Sequence, residues 1–102
     1  MLPTILFAIA TLSLSVTVIR LLRLAFNFIV NWFREREKIK NADKDNIAFT
    51  IQEKMKNKQY KTVQGVFNKR TNEVVDAREI YSNEVDEQME KNHRGNELVV
   101  YE

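Results

Sequence analysis

The sequence predicts a membrane-anchored α+β protein: an N-terminal transmembrane helix plus a juxtamembrane amphipathic helix, then a small αββαβ module with a three-stranded sheet. Three observations predict it. Residues 2–19 carry no charge. The next fifteen residues confine their polar side chains to one helical stripe. From Tyr60 onward the hydrophobic period changes from helical to alternating. The resulting organisation is a helical anchor over 1–33, a basic juxtamembrane linker over 34–45 and a small soluble α+β domain over 46–102.

The uncharged run LPTILFAIATLSLSVTVI spans about 27 Å as a helix, close to the roughly 30 Å hydrocarbon core of a bilayer. Backbone polar groups in lipid must be satisfied internally, so a single spanning segment has to be helical. Pro3 stands at the start, where its missing N–H does no harm. Ala8-Ile9-Ala10 has the small-x-small form of a signal cleavage site. No basic n-region precedes it and the apolar stretch before it is short, so a retained anchor is the expectation.

After Ile19 the sequence LLRLAFNFIVNWF stays apolar except at spaced positions. Arg20, Arg23, Asn27, Asn31 and Arg34 follow intervals of three and four, and on a helix they form one narrow polar stripe. Two arrangements fit. Residues 20–34 lie in the interface with the arginines snorkelling to headgroups, or one long tilted helix presents the stripe to a partner helix. Trp32 suits an interfacial aromatic belt. These positions are the expected membrane or partner-helix contacts.

The net charge is +2, but it is unevenly spread. Residues 34–61 hold nine basic and five acidic side chains; residues 62–102 hold five basic and nine acidic ones. Arg36, Lys38 and Lys40 follow the apolar stretch and are the expected headgroup contacts. The positive-inside rule then puts the N-terminus outside and the C-terminal domain in the cytoplasm or its equivalent.

In the soluble part, Ile47, Ile51 and Met55 recur every four residues, and QEKMKNKQ is rich in helix formers, which predicts a helix over 46–58. Ile47, Phe49 and Ile51 also alternate, as in a strand. YKTVQGVF and EVVDAREIY flank the polar cluster NKRTN and read as a β-hairpin, in which Gly65 marks a bulge or a close backbone approach. Ser82 or Asn83 can cap a following helix of about Asn83–Arg94, closed by Gly95. ELVVYE makes a last strand, and its residues Leu98, Val99, Val100 and Tyr101 are the expected strand edge for a partner.

Little chemistry is visible. There is no cysteine, hence no thiolate, disulfide or Cys-type zinc site. His93 is the only histidine, and its place in a last helical turn has a dipole explanation. Asp76, Glu79, Glu84, Asp86, Glu87 and Glu90 fit an exposed strand face and a helix surface. Gly65 and Gly95 are the only glycines, so no phosphate loop exists. Lys54, Lys56, Lys58 and Lys61 around Tyr60 are the minimum for nucleic acid, but the acidic C-terminal part argues against it. No enzyme, cofactor or metal is expected.

The functional expectation is a non-enzymatic accessory subunit or assembly factor of a larger membrane complex. The alternative is a tethered adaptor whose small domain recruits a soluble cytoplasmic protein. Expected partners are the lipid bilayer and one of these proteins, and a homo-oligomer fits either case. A domain of about 60 residues buries little surface on its own, which favours life in an assembly.

Overall fold

The β-branched run Thr17-Val18-Ile19 opens a strand, TVIRLLRL, and not the end of a transmembrane helix. The computed structural model describes residues 16–101, and β1 (Thr17–Leu24) is its first element. There follow α1 (Phe26–Glu35), α2 (Glu37–Asn41), β2 (Asn46–Lys54), β3 (Tyr60–Asn68), β4 (Glu73–Val85), α3 (Glu87–His93) and β5 (Leu98–Tyr101). The five strands form one mixed sheet in the order β1-β4-β3-β2-β5. β1 runs parallel to β4, from Thr17 beside Arg78 to Leu24 beside Val85; the other pairs are antiparallel.

This corrects the expected fold class. The three-stranded αββαβ module is a five-stranded sheet, and its outer strand β1 comes from the supposed anchor. No helix among the described residues is long and apolar enough to cross a membrane. The single-pass transmembrane assignment, and the inside–outside orientation derived from it, are withdrawn on that finding. A helix through Ile19 is excluded because Thr17, Val18 and Ile19 pair with Arg78, Glu79 and Ile80. The earlier part of the run, with Pro3 and Ala8-Ile9-Ala10, lies outside the described residues.

The juxtamembrane helix is corrected as well. Helical spacing holds only from Phe26 to Glu35. Arg20 and Arg23 belong to β1, so the stripe breaks at Ala25, where the period changes from two to 3.6. On α1, Asn27, Asn31 and Arg34 are exposed while Ile29 and Trp32 are buried. The helix is amphipathic, but its apolar side meets the sheet. Leu24, Ile29, Ile80 and Met89 form that core, with Phe26, Phe28, Phe33 and Val85 packed around it.

A second cluster, Phe49, Ile51, Val63 and Phe67, is flanked by Ile47, Val74 and Leu98. Strand alternation puts it on the opposite face from Thr50, Thr62 and Gln64. Burial of each such large side chain contributes about 1.5–3 kcal/mol.

The helix expected over 46–58 is strand β2. The Ile47/Phe49/Ile51 alternation prevails because β2 is a central strand, paired with β3 and β5 along Ala48–Ile51. The helix formers of KMKNK fall at the strand end and in the turn, where Lys58 has φ 69°. The hairpin is present, with Asn72 at φ 58° in its turn. Asn68 Oδ1 accepts from the backbone nitrogens of Arg70 and Thr71, and Arg70 pairs with Asp43 and Asp45.

The register shifts between Val66 and Phe67, leaving Val75 as an extra residue of β4. Gly65 sits at a close approach: a Cβ there would lie 2.6 Å from the Asp76 carbonyl oxygen and 3.0 Å from Phe49 Cζ. α3 starts later than its sequence suggests, because Ser82–Val85 stay extended between or beside β1 and β3. β5 is antiparallel to β2 and forms one edge of the sheet.

Candidate functional site

Three places gather polar or exposed apolar groups. The first is the β5 edge. β5 follows Gly95, whose φ of +74° lets the chain reverse after α3. Among the described residues β5 pairs only with β2, through Leu98–Tyr101 opposite Ala48–Ile51. Val100 is exposed; Leu98, Val99 and Tyr101 are half-buried. Tyr101 lies against α1, with ring centroids 5.9 Å from Phe26 and 5.6 Å from Phe33. Beside them runs an apolar groove of about 240 Å³ between α1 and the strand, with Val30 in its wall and Arg34 and Glu37 at its rim.

The second is a buried polar chain. Thr50 Oγ1 lies 2.8 Å from His93 Nε2 and 2.7 Å from the Tyr101 hydroxyl, and His93 Nδ1 lies 3.0 Å from the Asn96 carbonyl oxygen. A carbonyl only accepts, so Nδ1 carries the proton of the neutral ring. Nε2 then accepts from Thr50, whose oxygen accepts from Tyr101. Burial holds His93 below the usual imidazole range, against two backbone hydrogen bonds that favour its charge. Burial also raises the Tyr101 phenol. Hydroxyl, imidazole and carbonyl are ordered as in a nucleophile–base–orienter set, but Thr50 is fully buried. The chain ties α3 and β5 to the central strand.

The third lies under α1. Gln64 Nε2 donates to the Ile29 carbonyl at 2.7 Å, and its Oε1 accepts from Arg78 Nε at 2.8 Å. Arg78 Nη2 donates to the Phe28 carbonyl at 3.1 Å, and the guanidinium stacks on Phe28, 4.4 Å from the ring centroid. Desolvation, with the nearby Arg36 charge, pushes Arg78 down to about 10, while Glu35 acts the other way. Next to it Arg36 donates to Asp76 at 2.7 Å and stacks 3.9 Å over Trp32.

The residues expected to act together are dispersed. Arg20 stacks on Tyr81 and Arg23 is exposed, both on β1. Asn27, Asn31 and Arg34 lie on the exposed side of α1; Trp32 is buried beneath it. Arg36 is paired with Asp76, and Lys38 and Lys40 belong to the five-residue α2. Two pairs do come together across the expected groups: Arg34 with Tyr101 at the groove, and Arg36 with Trp32, over whose ring it stacks. Lys54 and Tyr60 are cross-strand partners, with the ammonium 5.5 Å from the ring.

Sequence reading missed Gln64, Arg78 and Thr50. Their signal was polar residues at alternating positions of otherwise apolar strands, which looks like a solvated face until α1 and α3 are known to cover it. Among the described residues no cluster of His, Asp and Glu is placed to hold a metal ion. The sequence matches no protein-family model, no curated protein and no solved structure.

Proposed function

We propose that the chain is a non-enzymatic interaction subunit of a larger protein assembly, taking an extended segment of a partner protein on the β5 edge. The observation that carries this reading is the conjunction of that edge with the groove beside it. Strand addition supplies main-chain hydrogen bonds, and a pocket next to the edge supplies side-chain selectivity. Phe26, Val30, Phe33 and Tyr101 give an apolar seat for one aliphatic or aromatic side chain of the incoming strand. The commitment of His93, Thr50 and Tyr101 to each other supports a structural rather than a catalytic use of these groups.

The test uses the full-length tagged chain and two surface variants, Val30→Asp and Val100→Asp, each checked for an unchanged circular dichroism spectrum. A stoichiometric partner held by the wild type and released by both variants, with the β5 amides protected from hydrogen exchange in the complex, is the expected result. A partner retained equally by all three chains, with unprotected β5 amides, defeats the proposal.

A further inference from the structure

The geometry points to a binding site for a small monocarboxylate in the cleft between the start of β1, the end of α1 and β4, with Arg78 as its anchoring cation. The cleft measures about 280 Å³ and is lined by Thr17, Trp32, Glu35, Arg36, Asp76 and Arg78, among others. That volume admits a small organic acid and excludes a nucleotide.

Arg78 is only 7% exposed, yet no carboxylate among the described residues pairs with it. Its Nε and Nη2 are used by Gln64 and Phe28, both neutral acceptors. Nη1 makes no hydrogen bond to a described residue, and neither does the Trp32 indole N–H, whose ring centroid lies 5.4 Å from the guanidinium carbon. A buried cation without an anion is costly, and arginine recovers most by taking a carboxylate through charge-assisted hydrogen bonds. Both residues line the same cleft, so a carboxylate bound there has two unused donors within one opening.

The other charges select the ligand's valence. Arg36 is committed to Asp76 at 2.7 Å. Glu35 has no ion pair with a described residue and borders the same cleft. Two cations thus face two acids, so the cleft is neutral as it stands. A monoanion is matched by the one uncommitted cation, Arg78, whereas the more strongly hydrated dianion hydrogen phosphate loses more solvation than this neutral cleft returns.

Trp32 is the only tryptophan of the chain, so its fluorescence reports on the cleft. The full-length protein is titrated with acetate, inorganic phosphate and chloride at constant ionic strength, with the Arg78 Nε–H signal followed by NMR. The expected result is a saturable acetate response, weaker for phosphate and absent for chloride, with the Arg78 resonance shifting in step. Arg78→Gln should weaken acetate at least about tenfold, as loss of a charge-assisted pair does. Glu35→Gln, at an exposed position, should tighten acetate about three- to fivefold by removing a like charge. Where Arg78→Gln does not fold, Glu35→Gln and the Arg78 resonance decide the matter. A response no larger than that of chloride, phosphate binding tighter than acetate, or indifference to Glu35→Gln overturns the assignment.

Discussion

Asp86 accepts a hydrogen bond from the backbone nitrogen of Phe26, sixty residues away, at 2.8 Å. Its other oxygen accepts from Met89 N at 2.9 Å, capping its own helix α3. The N-cap residue of α1, Ala25, has no side chain to offer, so one carboxylate serves the N-termini of two helices. The backbone completes the clamp, with Asp86 N donating to Leu24 O at 2.9 Å.

Asp86→Ala should therefore cost more than an ordinary cap. A single lost cap costs about 0.5–2 kcal/mol, and here two are lost, so a total of about 1–4 kcal/mol is expected in urea denaturation. A loss below about 1 kcal/mol, which the α3 cap alone accounts for, would show that α1 does not depend on Asp86.

Ser82 is fully buried, and its hydroxyl has no hydrogen-bond partner among the described residues. A buried unsatisfied hydroxyl costs about 1–3 kcal/mol. Ser82→Ala removes that cost and only a small volume, so the variant should be as stable as the wild type or more stable. A lower melting temperature would reveal an acceptor for the hydroxyl.

The His93 linkage gives a pH dependence with a definite sign. The folded-state pKa lies below the ordinary imidazole value of 6.5. The folded protein thus binds fewer protons than the unfolded chain between those two values. The stability is fully present above about 6.5 and is lost as the pH falls through the folded-state value. Melting temperatures from about pH 7.5 downward should show this decline. His93→Gln should be less stable at neutral pH and should flatten that part of the profile.

Gly65→Ala should destabilise the sheet. The added Cβ would meet the Asp76 carbonyl at 2.6 Å, and that oxygen belongs to the paired strand and cannot swing away. Overpacking of this kind costs about 1–3 kcal/mol. Gly95→Ala meets no atom within 4 Å and tests the φ of +74° alone. Comparing the two variants by denaturation separates crowding from backbone conformation.

The legibility of the chain in its sequence follows a physical line. The hairpin of β3 and β4, the glycine after α3 and the terminal strand are locally encoded, by alternation and turn residues. The fate of residues 17–34 is not. Thr17–Leu24 is equally apolar as a lipid-facing helix and as a strand, and only its pairing with β4, some sixty residues on, decides between them. The amphipathicity of α1 was legible, but the nature of the surface it faces was not. At the site level, Tyr101 and its neighbours could be nominated as an edge because the last strand of a small sheet has few ways to be covered. Arg78 could not, since a charged residue in a strand announces burial only once the helix above it is in place.

The strand order also dictates how the molecule assembles in time. β2, β3 and β4 are joined by short turns and can zip together locally, whereas β1 must find β4 across the length of the chain. Closing that loop incurs its entropy before any contact rewards it, and such non-local pairing slows folding. The meander should therefore form first, with β1 and α1 docking late. A refolding intermediate, if trapped, would hold the β3 amides protected while Trp32 is still in water.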